Sequence, residues 1–167
     1  RKVFKNLAYV NPSAQAQEIA EKELHLICAA VNLRVDLDHP TQLENVPLRI
    51  KIGAKKDGTI VAARAECRYM GGAFPGIWGT LGGMTAFACY DIPNNKAIGV
   101  NVLCNRPKVA AYRAPSAPMM AFGVESTIDQ LAKELKINPV ELRLKNVAKE
   151  GTLAPYGPVW GPIGIEP

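Results

Sequence analysis

The residues best suited to chemistry lie in Ala111-Tyr112-Arg113-Ala114-Pro115-Ser116-Ala117-Pro118. An apolar strand pattern ends just before this stretch at Cys104, and a helical pattern begins at Ser116. A strand, a loop and then a helix N-terminus leave backbone N–H groups and the positive end of a helix dipole pointing outward, which suits an anion. Arg113 stands in that corner with five donors in a rigid fork and a charge that persists at any working pH. Two readings follow. One is contact with a phosphate or other oxyanion through Arg113 and nearby backbone; the other is a surface arginine on a proline-rich loop.

Other reactive side chains read as structural. Cys28, Cys67, Cys89 and Cys104 form no C-x-x-C pair, and no histidine stands at zinc-finger spacing from them. They are expected to be reduced thiols in a cytosolic protein. Asp36-x-Asp38-His39 lacks a second cluster of ligands and reads as a solvated loop. His25, Met119-Met120, Trp78 and Trp160 read as packing groups. Lys55-Lys56 reads as part of a hairpin turn. A net charge of +5 without clustered basic and aromatic residues gives no case for nucleic acid.

These groups must be positioned by an ordinary globular scaffold. The chain has 167 residues, 48% hydrophobic and 21% charged, enough for a single domain with its own core. No apolar run approaches the ~20 residues that a membrane-spanning helix needs. Residues 11–31 are predicted to be a helix, capped by Asn11 with Pro12 in its first turn, and with Ala20, Leu24, Ile27 and Val31 as its apolar stripe. Residues 48–69 read as a β-hairpin. Leu48, Ile50 and Ile52 alternate with Arg49 and Lys51, Asp57-Gly58 supplies the turn, and Val61 to Tyr69 alternate on the way back. Residues 71–83 carry too many glycines for a long regular element and read as an apolar loop. Residues 97–104 read as a central strand. Residues 116–135 read as a helix with the stripe Met120, Val124, Ile128, Leu131 and Leu135. A further helix starts at Asn138-Pro139 with Glu141 in the capping-box position. The tail, 151–167, has no periodicity. The sum is an α+β fold: a hairpin and further strands packed with about three helices.

Several of these segments, taken together and in order, resemble a known family. They are Gly53-Ala54-Lys55-Lys56-Asp57-Gly58-Thr59-Ile60, Tyr90-Asp91-Ile92-Pro93-Asn94, Tyr112-Arg113-Ala114-Pro115 through Pro118, Glu125, Ile128-Asp129, Leu131-Ala132, and Asn138-Pro139-Val140-Glu141-Leu142-Arg143-Leu144-Lys145-Asn146. The chain is similar, over about residues 48–152, to the molybdopterin-binding large subunit of the xanthine dehydrogenase and aldehyde oxidase family. The resemblance implies a part of a longer catalytic subunit that hydroxylates a carbon next to nitrogen or oxygen, with water as the oxygen source. It implies a small-molecule substrate, molybdopterin in the full-length subunit, and iron–sulfur clusters and FAD on partner subunits or domains.

By the same resemblance Tyr112, Arg113 and Ala114 contact the cofactor, and Leu81 and Pro115 line the substrate channel. Ala114 stands where carbon-monoxide-oxidising members carry a copper-binding cysteine, so that activity is not expected. Pro115 and Leu81 replace the substrate-stacking phenylalanine and the substrate-binding arginine of purine hydroxylases, which argues against xanthine. The glycine-rich Phe-Gly motif that precedes the hairpin in the family has no counterpart here; Gly71-Gly72-Ala73-Phe74 follows the hairpin instead. The family's general-base glutamate lies in a later segment, and Glu125, Glu141 and Glu150 are poor replacements. The chain alone is therefore expected to be inactive and to contribute no catalytic residue or metal ligand of its own. Expected surroundings are the cytoplasm, with no nucleic acid and no membrane. Two alternatives remain at this level. A non-catalytic assembly module would use the 71–83 segment as an interface, and an isolated anion-binding domain would use the helix N-terminus at Ser116.

Overall fold

Alternation builds the centre of this molecule. Leu48, Ile50 and Ile52 are buried while Arg49 and Lys51 between them are exposed, and Ala63, Ala65, Cys67 and Tyr69 repeat the pattern on the next strand. A half-buried sheet requires this period of two. The computed structural model describes the backbone of residues 3–4, 29–39 and 43–164, and side chains from residue 48 to 164. Its strands are β1 (Val3–Phe4), β2 (Ala29–His39), β3 (Leu43–Ala54), β4 (Ile60–Gly72) and β5 (Asn94–Leu103). Its helices are α1 (Trp78–Thr85), α2 (Ala117–Leu135) and α3 (Pro139–Asn146). The strands form one sheet in the order β1-β5-β4-β3-β2, antiparallel except for the parallel pair β4–β5.

The expected hairpin is β3–β4, with Leu48 opposite Cys67 and Ile52 opposite Ala63. Gly58 takes φ +85° in its turn and donates to the Lys55 carbonyl at 3.0 Å, the left-handed position that glycine occupies without strain. Asp57 accepts the Thr59 N–H and hydroxyl, each at 3.0 Å, which closes the turn from the side-chain side. β5 lies inside the sheet, as its apolar run predicts. α2 buries Met120, Val124, Ile128 and Leu131 and packs on β2 and β3; α1 packs on β4 and β5. Asn138 caps α3, accepting the Val140 N–H at 2.8 Å.

Three expectations need correction. The helix predicted over 11–31 lies mostly outside the described residues, but its end does not hold: residues 29–31 open strand β2. Val31, Leu33, Val35 and Leu37 alternate with Asn32, Arg34, Asp36 and Asp38, and this period of two outweighs the single helical match at Val31. For the same reason Asp36, Asp38 and His39 belong to a strand paired with β3, not to a loop. The glycine-rich 71–83 segment is not a loop throughout, because its second half opens helix α1. Glycine at 79 and 99 lets the backbones of α1 and β5 touch: a Cβ on Gly79 would stand 2.8 Å from the Gly99 carbonyl carbon, and a Cβ on Gly99 would collide with the Gly79 carbonyl.

Candidate cofactor and substrate site

The site residues named above lie on two segments that meet over one position of the sheet. That position is Tyr69 on β4 and Asn101 on β5, side by side in register. Tyr69 is fully buried at 0% exposure, and its hydroxyl donates to the Ser116 carbonyl at 3.2 Å. Gly82 of α1 lies against the same ring: a Cβ there would stand 2.6 Å from the tyrosine oxygen. Asn101 Oδ1 accepts the Gly79 N–H of the first turn of α1 at 2.9 Å. One pair of neighbouring side chains thus touches α1, which carries Leu81, and the 112–116 loop, which carries Tyr112, Arg113, Ala114 and Pro115.

The loop has an unusual backbone. Ala114 (φ 54°) and Ser116 (φ 68°) are both left-handed, although neither is glycine. Each such residue costs about 1–3 kcal/mol, and such strain gathers at ligand sites where the surroundings fix it. Ser116 is the N-cap of α2 yet makes no side-chain cap, and its Oγ is buried at 1% exposure with no partner among the described residues. Asn101 Nδ2 is likewise buried and unpartnered. Tyr112 is 69% exposed, and Arg113 and Ala114 are exposed with it. Arg113 is exposed and has no hydrogen bond or ion pair among the described residues. Pro115 and Leu81 are half-buried.

Of the other reactive groups, Glu125 is engaged elsewhere, while Glu141 and Glu150 are exposed. Glu125 accepts from the Tyr90 hydroxyl at 2.8 Å and from Arg143 Nε at 2.9 Å, while Arg143 also meets Asp129 at 2.8 Å. Burial and the Glu125 carboxylate both push the Tyr90 phenol up. A carboxylate so committed joins α2 to α3 and to the segment before β5, as a structural tie. Burial pushes the Cys67 thiol up to about 12, so it stays protonated. Cys67, Cys89 and Cys104 are free thiols; Cys28 lies outside the described residues, as does His25. Trp160 Nε1 donates to the Ala88 carbonyl at 3.2 Å, a packing role. Among the described residues no cluster of His, Cys, Asp and Glu could hold a metal, and no helix is long and apolar enough to cross a membrane. Sequence reasoning missed Tyr69 and Asn101 as the seat of the site, because only the strand register brings them together.

Residues 31–147 match the family model for the molybdopterin cofactor-binding domain. This chain belongs to that family. Within it the chain falls among the molybdopterin-binding proteins of the xanthine dehydrogenase and aldehyde oxidase type. It is 34% identical over 113 residues to an aldehyde oxidoreductase of Megalodesulfovibrio gigas, a match covering 66% of this chain and 12% of that protein. It is 30% identical over 133 residues to a probable xanthine dehydrogenase subunit of Bacillus subtilis, covering 70% of this chain and 17% of that one. The solved aldehyde oxidoreductase from Desulfovibrio gigas superposes with a TM-score of 0.63 at 33% identity, over 69% of this chain and 13% of that chain. This molybdopterin cofactor-binding domain therefore spans a small part of the length of the relatives it matches.

Proposed function

We propose that this domain forms one wall of the cofactor and substrate site of a molybdenum hydroxylase catalytic subunit that oxidises an aldehyde or an N-heterocycle. The observation that carries this reading is the 112–116 loop: a left-handed backbone at Ala114 and Ser116, and a buried Ser116 Oγ and an exposed Arg113 beside a helix N-terminus, neither with a partner among the described residues. Molybdopterin fits such a donor set, since its phosphate and pterin edges present many hydrogen-bonding atoms and a negative charge. Tyr112, Arg113 and Ala114 would hold it. When bound, the cofactor supplies the redox chemistry, taking two electrons from the substrate carbon while water supplies the oxygen.

The chain's own residues then have simple tasks. Arg113 supplies a fixed positive fork, and the exposed Tyr112 ring covers the loop beside it. Ala114 offers only a methyl group, which leaves no ligand for copper. Pro115 and Leu81 present apolar, half-buried surface to a substrate and exclude water from it. That surface suits a substrate less polar than xanthine. Glu125 is committed to Tyr90 and Arg143, so we assign the general base to another segment of the full-length subunit and expect the domain alone to be inactive. Iron–sulfur and flavin partner subunits would carry the electrons away, in keeping with relatives named as subunits of larger enzymes. The cytoplasm is the compartment this implies.

Arg113→Ala in the full-length subunit tests the reading. A lost charge-assisted hydrogen bond of about 1.5–3 kcal/mol should lower cofactor retention and kcat/KM by at least about tenfold. Unchanged molybdenum content and unchanged turnover would remove Arg113 from the site.

A further inference from the structure

Tyr69 has no task in the site as proposed, yet it lies beneath both segments that carry the site. We infer that Tyr69 is the positioning residue of the cofactor and substrate site, its hydroxyl holding the 112–116 loop and its ring seating α1. This rests on the preceding proposal that the loop meets the cofactor.

A phenylalanine would fill the same core volume, so packing alone does not call for the hydroxyl. A buried hydroxyl is tolerated only where it finds a partner. Besides the Cys67 side chain on its own strand, the Tyr69 hydroxyl bonds the carbonyl of Ser116, at 3.2 Å, one of the two left-handed residues of the loop. A strained backbone persists where neighbours over-determine it, and this hydrogen bond reaches from the sheet to the strained residue. The same ring leaves room for no side chain at position 82, so the residue next to Leu81 must be glycine for α1 to settle. Asn101, opposite Tyr69 in register, adds a second tie through the Gly79 N–H at 2.9 Å. Arg113 and Leu81, which lie 32 residues apart in the chain, thereby share one rigid reference point on the sheet.

The test uses the full-length subunit produced with cofactor biosynthesis intact. Tyr69→Phe removes the hydroxyl and keeps the ring, and Ile50→Val serves as a control that loosens the same core without touching the loop. Molybdenum per subunit after gel filtration and amide exchange of peptides covering residues 112–120 are the readouts. We expect Tyr69→Phe to retain at most about a third of the wild-type molybdenum and to exchange about tenfold faster in the loop. Ile50→Val should keep its molybdenum at a similar loss of thermal midpoint. Wild-type molybdenum and exchange in Tyr69→Phe would overturn the inference, as would an equal molybdenum loss in Ile50→Val. A wild-type subunit that carries no molybdenum would instead overturn the functional reading itself, which is a distinguishable result.

Discussion

Asn146 shows how much one side chain can organise. Its Oδ1 accepts the Ile60 N–H at 2.8 Å, and its Nδ2 donates to the Gly58 carbonyl at 2.9 Å and to the Leu142 carbonyl at 2.8 Å. It thereby joins the end of α3 to the hairpin turn. Asn146→Ala would leave two of those backbone groups buried without partners and should cost about 3 kcal/mol, read as a shift of the denaturant midpoint. Asp57 in the same turn behaves differently with pH. Its bonds to Thr59 and to Lys145 lower its carboxyl from 3.8 to about 2. A depressed folded-state value favours the charged form, so this contribution is complete above about pH 4 and fades as the pH falls toward about 2. Wild type and Asp57→Asn should therefore differ in stability at neutral pH and converge in acid. A gap that persists at about pH 2 would contradict the assignment. Cys67, with its thiol held near 12, should resist iodoacetamide in the folded protein while the exposed Cys89 is labelled, as read by peptide mass spectrometry.

At the scale of elements, the seating of α1 is the most exacting contact in the fold. Gly79 and Gly99 meet backbone to backbone. Gly99→Ala should cost about 3 kcal/mol through overpacking, whereas Gly161→Ala, with nothing within 4 Å of the added carbon, should stay within about 0.5 kcal/mol. Equal effects of the two substitutions would show that α1 is not seated this way. This contact also marks the limit of what the sequence discloses. The hairpin, β5, α2 and α3 are legible because each carries a local signature: alternation around Asp57-Gly58, an apolar run, a stripe from Met120 to Leu131, a cap at Asn138. α1 is not, because its glycines lower helix propensity and its stability comes from tertiary contact with β5. The start of β2 is obscured at Val31, where a helical match overlaps a strand of alternating residues. The site divides in the same way. Arg113 stands out from its strand–loop–helix setting, while the left-handed backbone at Ala114 and Ser116 and the seat at Tyr69 and Asn101 depend on register and on packing between distant segments.

At the scale of the whole molecule, one side of the sheet is packed with α1 and α2, and the exposed loop between β5 and α2 carries an arginine with no partner among the described residues. Under the proposed function, a cofactor would complete what this strained loop leaves open among the described residues, the buried Ser116 hydroxyl above all. The matched region is 13% of the chain of the solved aldehyde oxidoreductase, and the proposed function is one of a full-length subunit. Elemental analysis of that subunit, purified after expression with molybdenum-cofactor biosynthesis intact, is the most direct test. The account predicts about one molybdenum per subunit in the wild type and a clear loss in Arg113→Ala. A folded wild-type subunit without molybdenum, or an Arg113→Ala variant that keeps all of it, would contradict the assignment of this loop as the cofactor contact.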